Sequence, residues 1–293
     1  MRERALWLGL LVLPPLFWAG NAVIGRAVVG EMPPLALTFW RWTLAFALIL
    51  PFTARDMVAN RALLLARWRL LAVLALFSVA AYNTFLYLAV QTTTAVNATL
   101  VGTSLPVVML VLSRLWLGEP IRPRQGAGIL VAALGLLAIV ARGEPDRLLS
   151  IAFTPGDGLM LVATASWAIY SVLLRRHPLP LGGFTLLAVL IGAGLPMILP
   201  FYLWELAVSG GFAASPANLG AIAYTAIFAS LAAYYFWNGG VMKVGAATAG
   251  LFTYLIPLFA ALLAVPLLGE AVRWYHLAGG GLIFAGIGLA GRR

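Results

Sequence analysis

The chain has 293 residues, 63% of them hydrophobic and only 10% charged. A soluble domain carries about 25% charged residues and cannot hide so large an apolar fraction behind its own surface, so lipid must solvate much of this chain. The absence of cysteine excludes a disulfide scaffold and a thiolate metal site, and the net charge of +10 takes its meaning from where the basic residues fall.

A helix needs about 20 apolar residues to cross a bilayer. The first predicted span, Ala5 to Gly25, holds no charge between Arg4 and Arg26. Its basic flanks and the small-residue sequence Gly20-Asn21-Ala22 are like those of a signal peptide. Because this helix has a counterpart later in the chain, it is expected to be retained. The second span is placed at Leu35 to Ala54. Leu70 to Ser113 is uncharged but too long for one helix, and the polar run Gln91-Thr92-Thr93-Thr94 divides it into a third and a fourth. The fifth runs from Gln125 to Ala141 and the sixth from Gly158 to Leu174, and the seventh lies within Pro178 to Trp204. The eighth covers Leu219 to Gly239, the ninth Val244 to Leu268 and the tenth Trp274 to Gly291. None alternates apolar with polar as a membrane barrel strand must, so an all-α integral membrane protein with ten transmembrane helices is expected.

Orientation follows from Lys and Arg in the short loops. Fourteen fall on one side, among them Arg2, Arg4, Arg114, Arg122, Arg175 and Lys243, against Arg26, Arg142, Arg147 and Arg273 on the other. Both termini are therefore expected in the cytoplasm, with the protein multi-pass in the inner membrane. The basic pI then reflects topology, and no nucleic-acid partner is expected.

The two halves align with each other. Trp18-Ala19 matches Trp167-Ala168, and Ser78 with Ala81-Tyr82 matches Ser230 with Ala233-Tyr234. Ala95, Pro106 and Gly118-Glu119 match Ala246, Pro257 and Gly269-Glu270 at one constant offset. Two units, 1–145 and 155–293, follow. Each holds five spans, an odd number, so the second must enter the membrane inverted. Inverted repeats with a midplane site are the design of many secondary transporters working by alternating access.

With these features the chain resembles the EamA family of the drug/metabolite transporter superfamily. The residues carrying the resemblance are Phe17-Trp18-Ala19-Gly20-Asn21, Phe39-Trp40-Arg41-Trp42, Ala95 to Pro106, Leu115-Trp116-Leu117-Gly118-Glu119 and Gly128 to Gly135. Echoes in the second half are Trp167-Ala168-Ile169-Tyr170 and Pro257 to Glu270. The resemblance implies an exporter of amino acids and other small metabolites, most like the aromatic amino acid exporters. Threonine or homoserine, cysteine-type metabolites and nucleobases are the family's other options.

A substrate site is sought where helices present aromatic or polar groups on one face. Ser78, Tyr82 and Phe85 follow i, i+4, i+7 in the third span, and Ser230, Tyr234 and Trp237 repeat that spacing in the eighth. Trp18 with Asn21 and Trp167 with Tyr170 add pairs three apart, and Asn97 and Thr248 are repeat equivalents. Such a ring suits an aromatic or apolar solute with a polar end. Packing or an interfacial belt is the competing reading, weakest for Tyr82 and Tyr234 near mid-depth. Pro106 and Pro257 interrupt their helices and are candidate hinges for alternating access.

Arg41 is the single charge well inside a span, a functional candidate by type. Lying seven residues after Pro34, about 10 Å at helical rise, it is expected to snorkel to the interface or to serve packing. The alternative is a carboxylate-binding role. No Asp, Glu or His lies mid-span and no P-loop or metal cluster occurs, so no cofactor and no enzyme activity are expected, and facilitated diffusion stands beside proton antiport. A membrane-embedded enzyme and a scaffold remain as readings from other classes. Gly279-Gly280-Gly281 with Gly286 and Gly288 suggest a close helix contact, within a monomer or across a homodimer.

Overall fold

The computed structural model describes residues 2–27, 30–144, 146–149, 152–268 and 273–291, and its regular structure there is helical throughout. Nine helices among the described residues are long and apolar enough to span a membrane. They are α1 (Arg2–Ile24), α2 (Pro34–Ala59), α3 (Trp68–Ala89), α4 (Asn97–Leu117), α5 (Pro123–Val140), α6 (Pro155–Arg176), α7 (Gly183–Ser209), α8 (Pro216–Val244) and α9 (Ala246–Leu263). The tenth expected span is a continuous 18-residue helix, α10 (Trp274–Gly291). It opens on Trp274, Tyr275 and His276 and holds six glycines, which dilute its hydropathy below that of the others. Gly269 and Glu270, the expected partners of Gly118 and Glu119, lie outside the described residues.

Local chemistry sets the helix ends. The Thr94 hydroxyl accepts the Asn97 amide at 3.1 Å where the fourth-span helix begins, and Ser215 does the same for Asn218 at 3.2 Å, with Pro216 at the first position of α8. Asp157 accepts the Thr154 backbone N–H at 2.7 Å as part of a capping box. Gly118 at φ 68° ends α4, and Gly245 at φ 98° turns the chain between α8 and α9.

Two helices run past their expected ends. Helix α7 continues beyond Trp204 through Glu205, whose buried carboxylate accepts the Leu35 and Ala36 amides at 3.1 and 2.7 Å. These are orphan donors of α2's first turn, so the charge is neutralised by hydrogen bonds and a helix dipole. Helix α2 likewise passes through Asp56, which accepts from the Thr185 hydroxyl of α7 at 3.2 Å.

Helices α2 and α7 pack together, as do α5 and α10 and as do α4 and α9. Helix α6 lies against α3 and α4, and α1 lies against α8 and α9. Exchanging each helix for the one five places on leaves this set of pairs unchanged. The α5/α10 contact is built on glycine: a Cβ on Gly135 would lie 2.5 Å from the Gly279 carbonyl oxygen, and one on Gly128 would lie 2.6 Å from that of Gly286. Gly279 and Gly286 of the glycine-rich stripe of α10 are thus engaged within the chain in close backbone approach, whereas nothing lies within 4 Å of a Cβ at Gly281 or Gly288.

Helices α3 and α8 depart from regular geometry at matching places. Leu76–Ala81 and Thr225–Ala232 are wound as π-helix, the bulge type that recurs at functional sites because it re-aims side chains and releases carbonyls. Pro106 and Pro257 also mark matching interruptions. The fourth span breaks between Gly102 and Leu105, and the ninth tightens to 3-10 helix over Phe252–Tyr254. Each break lies in the turn where proline withholds a donor and crowds the carbonyl four residues before it.

Candidate functional site: an aromatic cluster beside a buried arginine

Trp167 of α6 is the hub of the interior. Its ring lies 5.4 Å from Trp18 of α1, 4.9 Å from Tyr82 of α3 and 5.3 Å from Tyr170 on its own helix. It also lies 5.0 Å from Tyr234 and 5.5 Å from Trp237, both of α8. The contacts are edge-on or tilted, as ring quadrupoles favour. Six of the aromatics expected from spacing alone therefore form one cluster where four helices meet. Trp167, Tyr170, Tyr234 and Trp237 are buried, whereas Tyr82 and Trp18 are half-buried.

Four of these rings have their polar edges satisfied by the neighbouring helices. Tyr170 donates to Asn238 Oδ1 at 2.7 Å, and Trp237 Nε1 donates to the Ser171 hydroxyl at 3.0 Å. Tyr234 donates to the Ser78 carbonyl at 2.8 Å, an acceptor released by the π-wound segment of α3. Trp18 Nε1 donates at 3.1 Å to the Ala229 carbonyl, released by the π-wound segment of α8. Each irregular segment thus supplies an acceptor to an aromatic of another helix.

Other expected residues stand elsewhere. Ser78 donates to Leu74 and Ser230 to Thr225, both within their own helices. Phe85 is half-buried and makes no ring contact with the cluster among the described residues. The Asn97 amide donates to Asp157 Oδ2 at 2.9 Å and to the Ala152 carbonyl at 2.8 Å, and Thr93 donates to the other Asp157 oxygen. Asn97 therefore serves as a fastener between the start of α4 and that of α6. Asn21 keeps a buried Oδ1 with no hydrogen-bond partner.

Thr248 lines a cleft of about 320 Å³ at the basic end of the molecule, with Arg4, Glu119, Arg122, Arg175 and Lys243. Among the described residues, two ion pairs are seen at this end. Arg175 Nε lies 3.9 Å from Glu119 Oε1, and Lys243 Nζ lies 2.7 Å from Glu3 Oε1.

Arg41 departs from the snorkelling expectation. Its side chain is buried, with the residue 2% exposed. It turns inward, donating from Nε to the Ser230 hydroxyl at 2.9 Å and from Nη1 to the Tyr87 hydroxyl at 3.3 Å, with Nη2 3.5 Å from the Ala229 carbonyl. The guanidinium carbon lies 5.1 Å from the Trp42 ring centre, and Trp42 in turn lies 5.0 Å from Tyr234. The physical reason is the irregular segment of α8, which offers a carbonyl and a hydroxyl deep in the helix packing. Trp42 and Tyr87 were not singled out by spacing. The signal available was Arg41 itself, whose neighbours in space complete the site.

Comparison with known proteins agrees with this architecture. The model of the EamA-like transporter family matches residues 5–141 and 154–292. An uncharacterized transporter of Archaeoglobus fulgidus is 32% identical over 285 residues, covering 95% of this chain and 94% of that protein. A probable amino-acid metabolite efflux pump of Salmonella typhimurium is 25% identical, covering 98% and 94%. A probable terminal-alkyne amino-acid exporter of Streptantibioticus cattleyicolor is 28% identical over 64% of this chain and 61% of that protein. A solved crystal structure superposes with a TM-score of 0.76 at 21% identity, covering 98% of this chain and 96% of the other, which speaks to the fold alone. The helical membrane architecture, the family match across nearly the whole chain and the full-length relatives lead to one assignment: the chain belongs to the EamA-like transporter family.

Proposed function

We propose that this transporter exports aromatic or other large hydrophobic amino acids and related metabolites across the inner membrane. It does so by alternating access between two inverted five-helix halves, residues 1–145 and 155–293, with both termini in the cytoplasm. The observation that carries the reading is the Trp167 cluster: rings from α1, α3, α6 and α8 gathered at one point, with the polar atoms of Trp18, Tyr170, Tyr234 and Trp237 held by other helices. A surface of this kind suits a flat apolar solute. The relatives named as amino-acid exporters support the substrate class, and the helix pairing that survives a five-place exchange supports the two halves. On this reading the cleft lined by Arg4, Arg122, Arg175 and Lys243 faces the cytoplasm, following the bias of basic residues to that side. Two span carboxylates, Asp157 and Glu205, are committed to helix starts, so the solute's own gradient is the proposed driving force.

The test is uptake of labelled phenylalanine into proteoliposomes, with unlabelled tryptophan and threonine as competitors, with and without a pH gradient. Saturable uptake that tryptophan blocks, threonine spares and the pH gradient leaves unchanged is the expected result. Uptake no greater than in empty liposomes removes the aromatic assignment. Tyr82→Ala and Tyr234→Ala are expected to lower uptake at unchanged expression, and unaltered uptake in both removes the cluster from the solute path.

A further inference from the structure

We propose that Arg41 and Trp42 form the anion-binding end of the solute site, receiving the carboxylate of a solute whose apolar body rests on the Trp167 cluster. The inference rests on the transport reading above and adds to it a specific chemical requirement. It starts from a charge imbalance. A guanidinium taken out of water needs a counter-charge or a full set of acceptors. Arg41 is 2% exposed, and what it reaches is neutral: the Ser230 and Tyr87 hydroxyls and the Ala229 carbonyl. No carboxylate pairs with it among the described residues. The Asp and Glu side chains of the spans are engaged at helix starts and at the basic end, as described above.

A second, independent feature lies beside it. Trp42 is 0% exposed, and its Nε1–H is a buried donor with no hydrogen-bond partner. An unpaired buried N–H is unfavourable in a folded interior. One cation lacking an anion and one donor lacking an acceptor occur on adjacent residues, the guanidinium carbon 5.1 Å from the indole centre. A single carboxylate meets both needs, because its two oxygens accept from a guanidinium fork and from a further N–H.

The neighbourhood fixes the rest of the solute. The Trp42 ring contacts Tyr234 at 5.0 Å, and Tyr234 contacts Trp167 at the same distance. A carboxylate at Arg41 therefore has aromatic surface within one to two ring widths, the reach of an aryl-propionate skeleton. One guanidinium balances one negative charge, which favours a monocarboxylate over a doubly charged phosphate. The Ala229 carbonyl accepts from both Trp18 and Arg41. Occupancy of the anion site is thereby coupled to the α8 segment on which α1 leans.

The experiment is isothermal titration of the purified full-length protein with four ligands of matched shape: 3-phenylpropionate, 3-phenylpropanamide, 3-cyclohexylpropionate and 3-cyclohexylpropanamide. The carboxylate of each pair is expected to bind about tenfold or more tightly than its neutral amide, the scale of one charge-assisted contact. In Arg41→Gln that preference is expected to vanish, with both members binding at the level of the amide. Equal affinity within each pair in the wild-type protein overturns the proposal without reliance on any variant, and so does a preference that survives in Arg41→Gln. An Arg41-dependent preference shown alike by the phenyl and cyclohexyl carboxylates upholds the anion site and sinks the aromatic part of the transport reading. No binding by either carboxylate, in a preparation that still takes up labelled phenylalanine, overturns the anion site and leaves the transport reading standing.

Discussion

Substitution of Gly135 by alanine is expected to destabilise the transporter through a single contact between α5 and α10. A Cβ built at Gly135 lies 2.5 Å from the Gly279 carbonyl oxygen and 2.8 Å from the Leu282 Cβ. Carbon atoms in favourable contact sit about 3.5–4.0 Å apart, so the two helices must separate by the better part of an ångström. Neither obstacle is a flexible chain end: one is backbone and the other is the first carbon of a side chain. The contact is also reciprocal, since a Cβ on Gly279 meets the Gly135 carbonyl oxygen at 2.5 Å. Overpacking of this kind costs about 1–3 kcal/mol, and moving helices apart along a glycine seam places the effect towards the upper end. Gly288 supplies the control, because nothing lies within 4 Å of a Cβ there. The assay is the apparent melting temperature of the detergent-purified protein, read by loss of the monodisperse gel-filtration peak after heating. Gly135→Ala is expected to melt several degrees below wild type, and Gly288→Ala within a degree or so of it. Equal melting of the two variants would refute the argument that α5 and α10 touch through their backbones.

Three further outcomes follow from contacts outside that seam. Glu205→Ala removes the acceptors of the Leu35 and Ala36 amides, and a loss of about 1–2 kcal/mol is expected in the same melting assay; unchanged melting means water caps α2 equally well. Asn97→Ala and Asp157→Ala both break the Asn97–Asp157 fastening between α4 and α6, and Asp157→Ala is expected to lower stability further, because it also removes the acceptor of the Thr93 hydroxyl and of the Thr154 amide. The KM for any transported solute is expected to hold in Asn97→Ala, and a rise in KM would return Asn97 to the solute path. Tyr234→Phe deletes the bond to the Ser78 carbonyl, which also accepts from Asn83 Nδ2 at 3.2 Å, so the expected loss is about 0.6 kcal/mol, the mean for an interhelical bond in lipid; a loss several times larger would show that the Asn83 amide does not satisfy the carbonyl by itself.

The helices were legible because the hydropathy signal is long and unbroken, and their ends were misplaced where charges had local partners. Glu205 and Asp56 look like span ends in the sequence, yet α7 and α2 pass through both. Each carboxylate finds donors on the other helix of the α2/α7 pair, a fact that needs the tertiary packing. The aromatic cluster was legible for a related reason. Spacings of three, four and seven place side chains on one helix face, and the same face recurs in the matching span 149–152 residues later. Asn97 and Thr248 also shared a matched spacing, but polarity alone did not distinguish a ligand-facing amide from one that fastens two helix starts.

Arg41 shows most clearly where the sequence runs out. Its depth, about 10 Å from the start of α2 at helical rise, allows a long side chain to reach either the interface or the interior, and those routes imply opposite roles. The choice falls to α8, where Thr225–Ala232 winds as π-helix and sets the Ala229 carbonyl and the Ser230 hydroxyl within reach of the guanidinium. No glycine or proline lies in that segment, so composition gives no warning of it. The clue that the sequence does hold is comparative. Ser230 and Tyr234 match Ser78 and Tyr82 in spacing, and the matching stretch of α3 is π-wound as well. The irregularity recurs at matching places in α3 and α8, and in each its released carbonyl holds an aromatic side chain from another helix. A charge at mid-depth beside such a segment is therefore better read as inward-facing, and a screen of helical transporters for a buried arginine opposite a repeated bulge would find sites of this kind that hydropathy and snorkelling arguments pass over.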